Sequence, residues 1–130
     1  MSKYSTSSFR RSLSYAFRGL AIAFKSQQNF RTQVLLGFMA FWVATILKFS
    51  AIEFCILVLI MGMVLLCELF NSVIEFTLDA VYKNKYSKLV AMAKDMSAGA
   101  VLISSFASIL SGAILFLHRI YEIFQRGMII

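Results

Sequence analysis

Three apolar runs, separated by amphipathic or polar stretches, set the pattern of this sequence. From Phe9 to Phe30 the apolar residues recur at helical spacing. Phe9, Leu13, Phe17, Leu20 and Phe24 stand three or four apart, with Arg10, Arg11, Arg18 and Lys25 among them. That pattern predicts a helix lying in a membrane interface with its cations against headgroups. A helix packed on the protein's own surface would read the same way. Val34 to Leu47 is the first run, holding Trp42 and ending at Lys48. Phe30 and Thr32 extend it toward the roughly 17–25 residues a crossing needs. Phe49 to Glu53 is a short connection. Phe54 to Cys67 is the second run, and its helix continues into polar residues. Tyr82 to Lys88 is a Lys-rich loop. Ala98 to Leu117 is the third run, carrying Gly99, Ser104, Ser105, Ser108, Ser111 and Gly112. Small residues let helices approach closely, so this helix is expected at the centre of a bundle.

The expected architecture is an all-α integral membrane protein with three transmembrane helices and an N-terminal interfacial amphipathic helix. A single domain covers residues 1–130, with the interfacial helix at 9–30 and span-containing helices at 31–48, 52–80 and 91–120. Residues 1–8 are polar and expected to be mobile.

Composition supports this reading. Apolar residues make up 60% of the chain and there is no proline. The mean hydropathy is +0.80. A soluble α/β domain would punctuate its turns with Pro and Gly. The net charge of +7 sits beside apolar runs, which favours anionic headgroups or a nucleotide over nucleic acid. Cys55 and Cys67 lie in apolar surroundings without metal-ligand spacing and read as buried spectator thiols. Residues 1–19 are Ser-rich and basic, unlike a signal peptide. Lys3, Arg10, Arg11, Arg18, Lys25 and Arg31 precede the first span, and Lys83, Lys85, Lys88 and Lys94 lie between the second and third. The positive-inside rule then places the N-terminus and that loop in the cytoplasm. Lys48, Arg119 and Arg126 are left outside.

The chemistry concentrates at the end of the second run. Glu68, Asn71, Glu75 and Asp79 fall on one helical face. A charged side chain at the centre of a membrane helix costs about 2.5–3.5 kcal/mol by insertion scales, so it usually serves function. Glu68 lies fourteen residues beyond Phe54, about 21 Å at 1.5 Å per residue. In a hydrocarbon layer about 30 Å thick that is the cytoplasmic half, near the headgroups. Glu75 is two turns further, at or beyond the interface. One face therefore runs from lipid depth to water, which suits joining a lipid hydroxyl to a water-soluble donor. A carboxylate withdrawn from water can act as a base on a hydroxyl, and by depth Glu68 is the better base. Glu75, nearer the cytosol and the lysines, suits Mg²⁺ carried by a nucleotide. Asn71 can orient either. Lys94 can meet phosphate, and Asp95 can accept from a base or ribose. Against this, polar residues within spans also hydrogen-bond helices together. That explains one Asn or Ser better than two Glu and an Asp on one face. Asp79 could equally be a cap or a partner for a lysine, and Lys94-Asp95 a surface pair.

These residues carry a resemblance. Glu68-Leu-Phe-Asn71-Ser-Val-Ile-Glu75-Phe-Thr-Leu-Asp79 resembles the signature of the prokaryotic diacylglycerol kinase family, E-x-x-N-[ST]-x-[IV]-E-x-x-x-D. Ala93-Lys94-Asp95-Met-Ser-Ala-Gly99-Ala-Val101 is similar to its second motif. Tyr15-Ala-Phe-Arg-Gly19-Leu, Ala23-Phe24-Lys25 and Asn29-Phe-Arg31 are similar to its N-terminal helix. The likeness covers roughly residues 10–118. It implies a homotrimer in the bacterial cytoplasmic (inner) membrane, with active sites shared between subunits. It also implies ATP- and Mg²⁺-dependent phosphorylation of a lipid alcohol. By the resemblance Glu68 is the catalytic base, assisted by Asn71, and Glu68 and Ala98 meet the lipid substrate. Glu75 binds Mg²⁺, and Tyr15, Gln27, Glu75, Tyr86, Lys94 and Asp95 match nucleotide-site positions. No P-loop is present, as in the family.

The sequence departs from that pattern at Gln27, where the family commonly has a second metal-binding Glu. Gln offers a carbonyl oxygen without charge. Val73 stands where a small residue is usual, and Phe70 where an aliphatic one is. Phe24-Lys25-x-x-x-Asn29 and Ala93-Lys94-Asp95-Met-x-Ala-Gly-Ala-Val101 look more like undecaprenol kinases than diacylglycerol kinases. A proton-coupled transporter built on an intramembrane Glu would give no reason for Lys94-Asp95. A non-catalytic member of the kinase family is the other alternative, prompted by Gln27.

Overall fold

The computed structural model describes the backbone of residues 2–128 and the side chains of residues 8–127. The chain forms four helices in order: α1 (Ser2–Ser26), α2 (Gln28–Ile46), α3 (Ala51–Tyr82) and α4 (Lys88–Met128). α1 is helical from Ser2, so the expected polar lead of residues 1–8 belongs to the helix, apart from Met1, which lies outside the described residues. α1 also ends earlier than residue 30. Gln27 is extended (φ −114, ψ 108), with no side-chain cap bond. Arg31, one turn into α2, donates from Nη1 to the Phe24 and Lys25 carbonyls at 2.9 and 2.8 Å. It thereby occupies acceptors that the end of α1 leaves orphaned.

The other joints are capped as closely. Ser50 and Glu53 form a reciprocal capping box at the start of α3. The Glu53 amide donates to Ser50 Oγ at 3.3 Å, and the Ser50 amide to Glu53 Oε1 at 3.1 Å. The stretch read as a plain connection thus starts a helix. The end of α2 is held by Arg119 of α4, whose Nε and Nη2 donate to the Leu47 and Lys48 carbonyls at 2.8 and 2.5 Å. Glu122 accepts from the same guanidinium at 3.0 Å. Arg119, counted above among the outer cations, is therefore engaged in closing a loop. α3 ends where Lys83 and Asn84 turn left-handed (φ 51 and 60), a conformation that costs a non-glycine residue roughly 1–2 kcal/mol.

Packing is inside out relative to a soluble bundle. Glu68, Ser72, Ser97 and Ser104 are buried, while Trp42 is 72% exposed and Phe38, Leu59, Leu102, Ile103 and Ile109 are similarly bare. Water would penalise such a surface, and lipid does not. The apolar core sits at the end of the bundle away from Glu68. There Ala44, Phe49 and Leu57 meet Phe54 and Phe116, with the Phe49 and Phe116 rings 4.9 Å apart. α3 and α4 are each long and apolar enough to cross a membrane. α2 is shorter, at 19 residues, and opens with polar turns. Gly37 brings α2 against α3, since a Cβ there would lie 2.7 Å from Met61 Cε.

Candidate active site

The acidic face of α3 packs against the start of α4, and a side-chain hydrogen bond joins the two helices beside Glu68. Ser97 Oγ donates to Asn71 Oδ1 at 2.6 Å, and Asn71 Nδ2 donates to Glu75 Oε1 at 3.5 Å. Ser97 also bonds the Lys94 carbonyl at 2.9 Å. Asn71 thus has its amide oriented by Ser97 and passes that order to Glu75. One turn deeper, Glu68 is 2% exposed, and its Oε2 has no hydrogen-bond partner. Ser72 is spent on its own helix, donating to the Glu68 carbonyl at 3.0 Å. An unpaired buried carboxylate oxygen costs stability unless something else uses it.

Glu68 lines a cleft of about 390 Å³ together with Asn29, Asn71, Ala98 and Val101. Glu68, Asn71 and Ala98, three residues singled out above, thus share one space. A second cleft of about 230 Å³ lies beside the loop after α3, lined by Asp79, Tyr82, Lys85, Tyr86 and Lys94 among others. In it Lys94 Nζ meets Asp79 Oδ1 at 2.6 Å, both side chains somewhat over one third exposed. Of the two readings offered for Asp79, pairing with a lysine is the one seen. Tyr86 is 87% exposed and stands at this cleft's mouth. Asp95 is exposed. Tyr15, on α1, is exposed with the Arg18 guanidinium 5.6 Å over its ring. Gln27 is half-buried at the α1–α2 break. Tyr15, Gln27 and Asp95 make no bond to the Glu68–Asn71–Glu75 group among the described residues. Val73 and Phe76 of α3 face Gly19, Leu20 and Ala23 of α1 across an apolar cleft of about 450 Å³.

Sequence reasoning gave no role to Ser97 or Asn29. Ser97 lies within the second motif, but its pairing with Asn71 spans 26 residues and has no local signature. Among the described residues no three His, Cys, Asp or Glu side chains gather to hold a metal. That set does not make a protein-only cage. It does fit an ion delivered with a nucleotide, because Mg²⁺ commonly takes one or two protein carboxylates and fills its shell with phosphates and water.

A model of the family described as prokaryotic diacylglycerol kinase matches residues 14–116. The chain belongs to the prokaryotic diacylglycerol kinase family. Membership makes it, by family, a lipid kinase of the membrane. It is 35% identical to a diacylglycerol kinase of Synechocystis over 106 residues, 82% of this chain and 61% of that protein. It is 30% identical to an undecaprenol kinase of Bacillus subtilis, over 86% of this chain and 90% of that protein. It is 31% identical to a diacylglycerol kinase of Escherichia coli, over 78% and 82% respectively. The prokaryotic diacylglycerol kinase match contains all three clefts and every α3 and α4 residue named in them.

Proposed function

We propose that the protein transfers the γ-phosphate of ATP to the hydroxyl of a membrane lipid alcohol, undecaprenol in preference to diacylglycerol, with Glu68 as general base. The observation that carries this is the buried, unpartnered Oε2 of Glu68, on a residue that lines a cleft. It lies one turn below a polar chain that leads toward lysines. Two internal bonds support the depth. Ser97–Asn71 and Arg119–Leu47 tie the bundle at its two ends. They stand 22 residues apart along α4, about 33 Å at 1.5 Å per residue, close to the ~30 Å of hydrocarbon. Glu68 is then roughly 4–5 Å inside one boundary, with Glu75 and Lys94 beyond it in the cytoplasm.

In this reading the lipid hydroxyl enters the Glu68 cleft beside Ala98, and Glu68 takes its proton as the hydroxyl oxygen attacks the γ-phosphorus in line, the bond from that phosphorus to the β-phosphate oxygen breaking so that ADP leaves. Asn71 holds the orientation set by Ser97. Lys94, steadied by Asp79, offsets charge on the phosphate oxygens, and Tyr86, Tyr15 and Asp95 contact the nucleotide. Glu75 and the Gln27 carbonyl would be the donors for Mg²⁺, which would neutralise phosphate charge. Three spans per subunit, a cytoplasmic N-terminus and a homotrimer with shared sites complete the proposal, and the trimer rests on the family resemblance alone.

The test uses purified protein in detergent with labelled ATP and either undecaprenol or diacylglycerol. Label in the prenol, at a higher kcat/KM than in the glyceride, is the expected result. No label in either would end the kinase reading, and a preference for the glyceride would reverse the substrate choice. Restoring a carboxylate by Gln27→Glu is expected to lower the Mg²⁺ concentration for half-maximal rate by several-fold, about 1 kcal/mol. An unchanged Mg²⁺ titration would remove position 27 from the ligand set.

A further inference from the structure

The Glu68 cleft does not end at Glu68. It shares Gln33 and Ser105 with another cleft of about 230 Å³ between α2, α3 and α4, bounded below by Gly112 and Phe116. Along α4 the lining runs from Ala98 to Phe116, eighteen residues or about 27 Å. That is nearly the whole hydrocarbon layer of ~30 Å. The acyl chains of a leaflet lipid reach only its midplane, about 15 Å in. We propose that these two adjoining clefts together hold the chain of a linear polyprenol long enough to pass the midplane, its hydroxyl ending at Glu68. The assignment rests on the lipid-kinase reading of the Glu68 site and names what that site accepts.

The lower groove is shaped for one apolar chain. Ala40, Ser108 and Gly112 are small and leave the space. The Ser108 hydroxyl is already spent, donating to the Ser105 carbonyl at 2.9 Å, so it asks nothing of a ligand. Phe116, packed on Phe49, closes the far end. At its upper end the only unsatisfied oxygen among the described buried side chains besides Glu53 Oε2 is that of Glu68, where an alcohol can donate. A diacylglycerol would bring two shorter chains and two esters to a passage built for one chain without them.

Gly112 is the position to test, because a Cβ added there meets no atom within 4 Å and enters the groove. Two prenols serve as probes, one too short to reach the midplane and one that passes it. Binding is read by competition against a photoreactive long prenol without ATP, and phosphorylation is measured separately. The long prenol is expected to bind the wild type about tenfold more tightly. Gly112→Phe should abolish that difference and leave the short prenol within twofold, and photolabel should fall on the lower halves of α2 and α4. Gly112→Leu carries the same comparison if the Phe variant folds poorly. Equal affinity for both lengths in the wild type, or equal loss for both in the variants, overturns the groove. So does a change of oligomeric state with chain-length preference intact, which would make the surface a subunit contact. Length-dependent binding without phosphate transfer keeps the groove and removes the kinase reading. Transfer to both prenols at equal kcat/KM, with equal affinities, does the reverse.

Discussion

Glu68→Gln is expected to fold and to lose turnover by about 10²–10⁴-fold, the usual share of a general base. The substitution keeps the shape of a side chain that is 2% exposed and removes its capacity to take a proton. Folding should survive for a structural reason. The bonds that tie α3 to α4 at this level run through Asn71 and Ser97, and Ser72 uses the backbone carbonyl of residue 68, not its side chain. An amide in place of a buried carboxylate with one unpartnered oxygen also relieves the burial of charge. The variant should therefore match the wild type, or exceed it, in thermal stability. KM for ATP should move little, because the cation proposed to meet the nucleotide is Lys94, a turn beyond Ser97 and away from Glu68. The measurement is the initial rate of lipid phosphorylation at saturating ATP, beside a melting curve in the same detergent. Near wild-type turnover would remove Glu68 from the base role. Lost turnover with a matching loss of fold would make it a packing residue.

Much of this arrangement was legible because membranes impose strong patterns. Apolar runs of bilayer length, interrupted by carboxylates at helical spacing, predict a helix with one polar face whatever the partner helix does. The two motifs therefore indicated α3, the start of α4 and the shared face of Glu68 and Asn71, while Ala98 came from the family resemblance. What could not be read were contacts between distant residues. Ser97–Asn71, Arg31 on the end of α1, and Arg119 on the end of α2 are each ordinary side chains locally. Only the fold brings an orphaned carbonyl or amide within reach. Arg119 shows the consequence for topology. As a residue in a count it argues for a cytoplasmic side, whereas in the fold it is a loop clamp. Helix ends were the other gap. α1 stops at Ser26 and α4 continues to Met128, because Gln27 turns extended in a stretch without glycine or proline, and no breaker marks the end of the third run.

Lys94→Met carries the second large effect, an expected fall of about 10²–10³-fold in kcat/KM for ATP, comparable to removing one well-placed donor from a developing anion. Lys94 has two possible purposes in this structure, and they predict opposite profiles. If its work is the ion pair with Asp79 at 2.6 Å, the loss appears in stability. That loss is small, since both side chains are more than one third exposed and such pairs contribute only ~0–1 kcal/mol. If its work is phosphate charge, the melting temperature stays within a few degrees while activity collapses. Asp79→Asn separates the cases further. It leaves the ammonium in place but frees it from its tether, so the lysine must be ordered by the nucleotide itself. The cost then falls mainly on KM for ATP, by less than about tenfold, with kcat largely kept. The same cleft holds Tyr86 and the loop lysine Lys85, so added salt should weaken ATP binding in both variants, less steeply in Lys94→Met, where one cation is gone. Equal kinetic defects in Lys94→Met and Asp79→Asn would mean that the pair acts only as a strut between α3 and α4, and the phosphate contact would then have to be sought among the loop lysines.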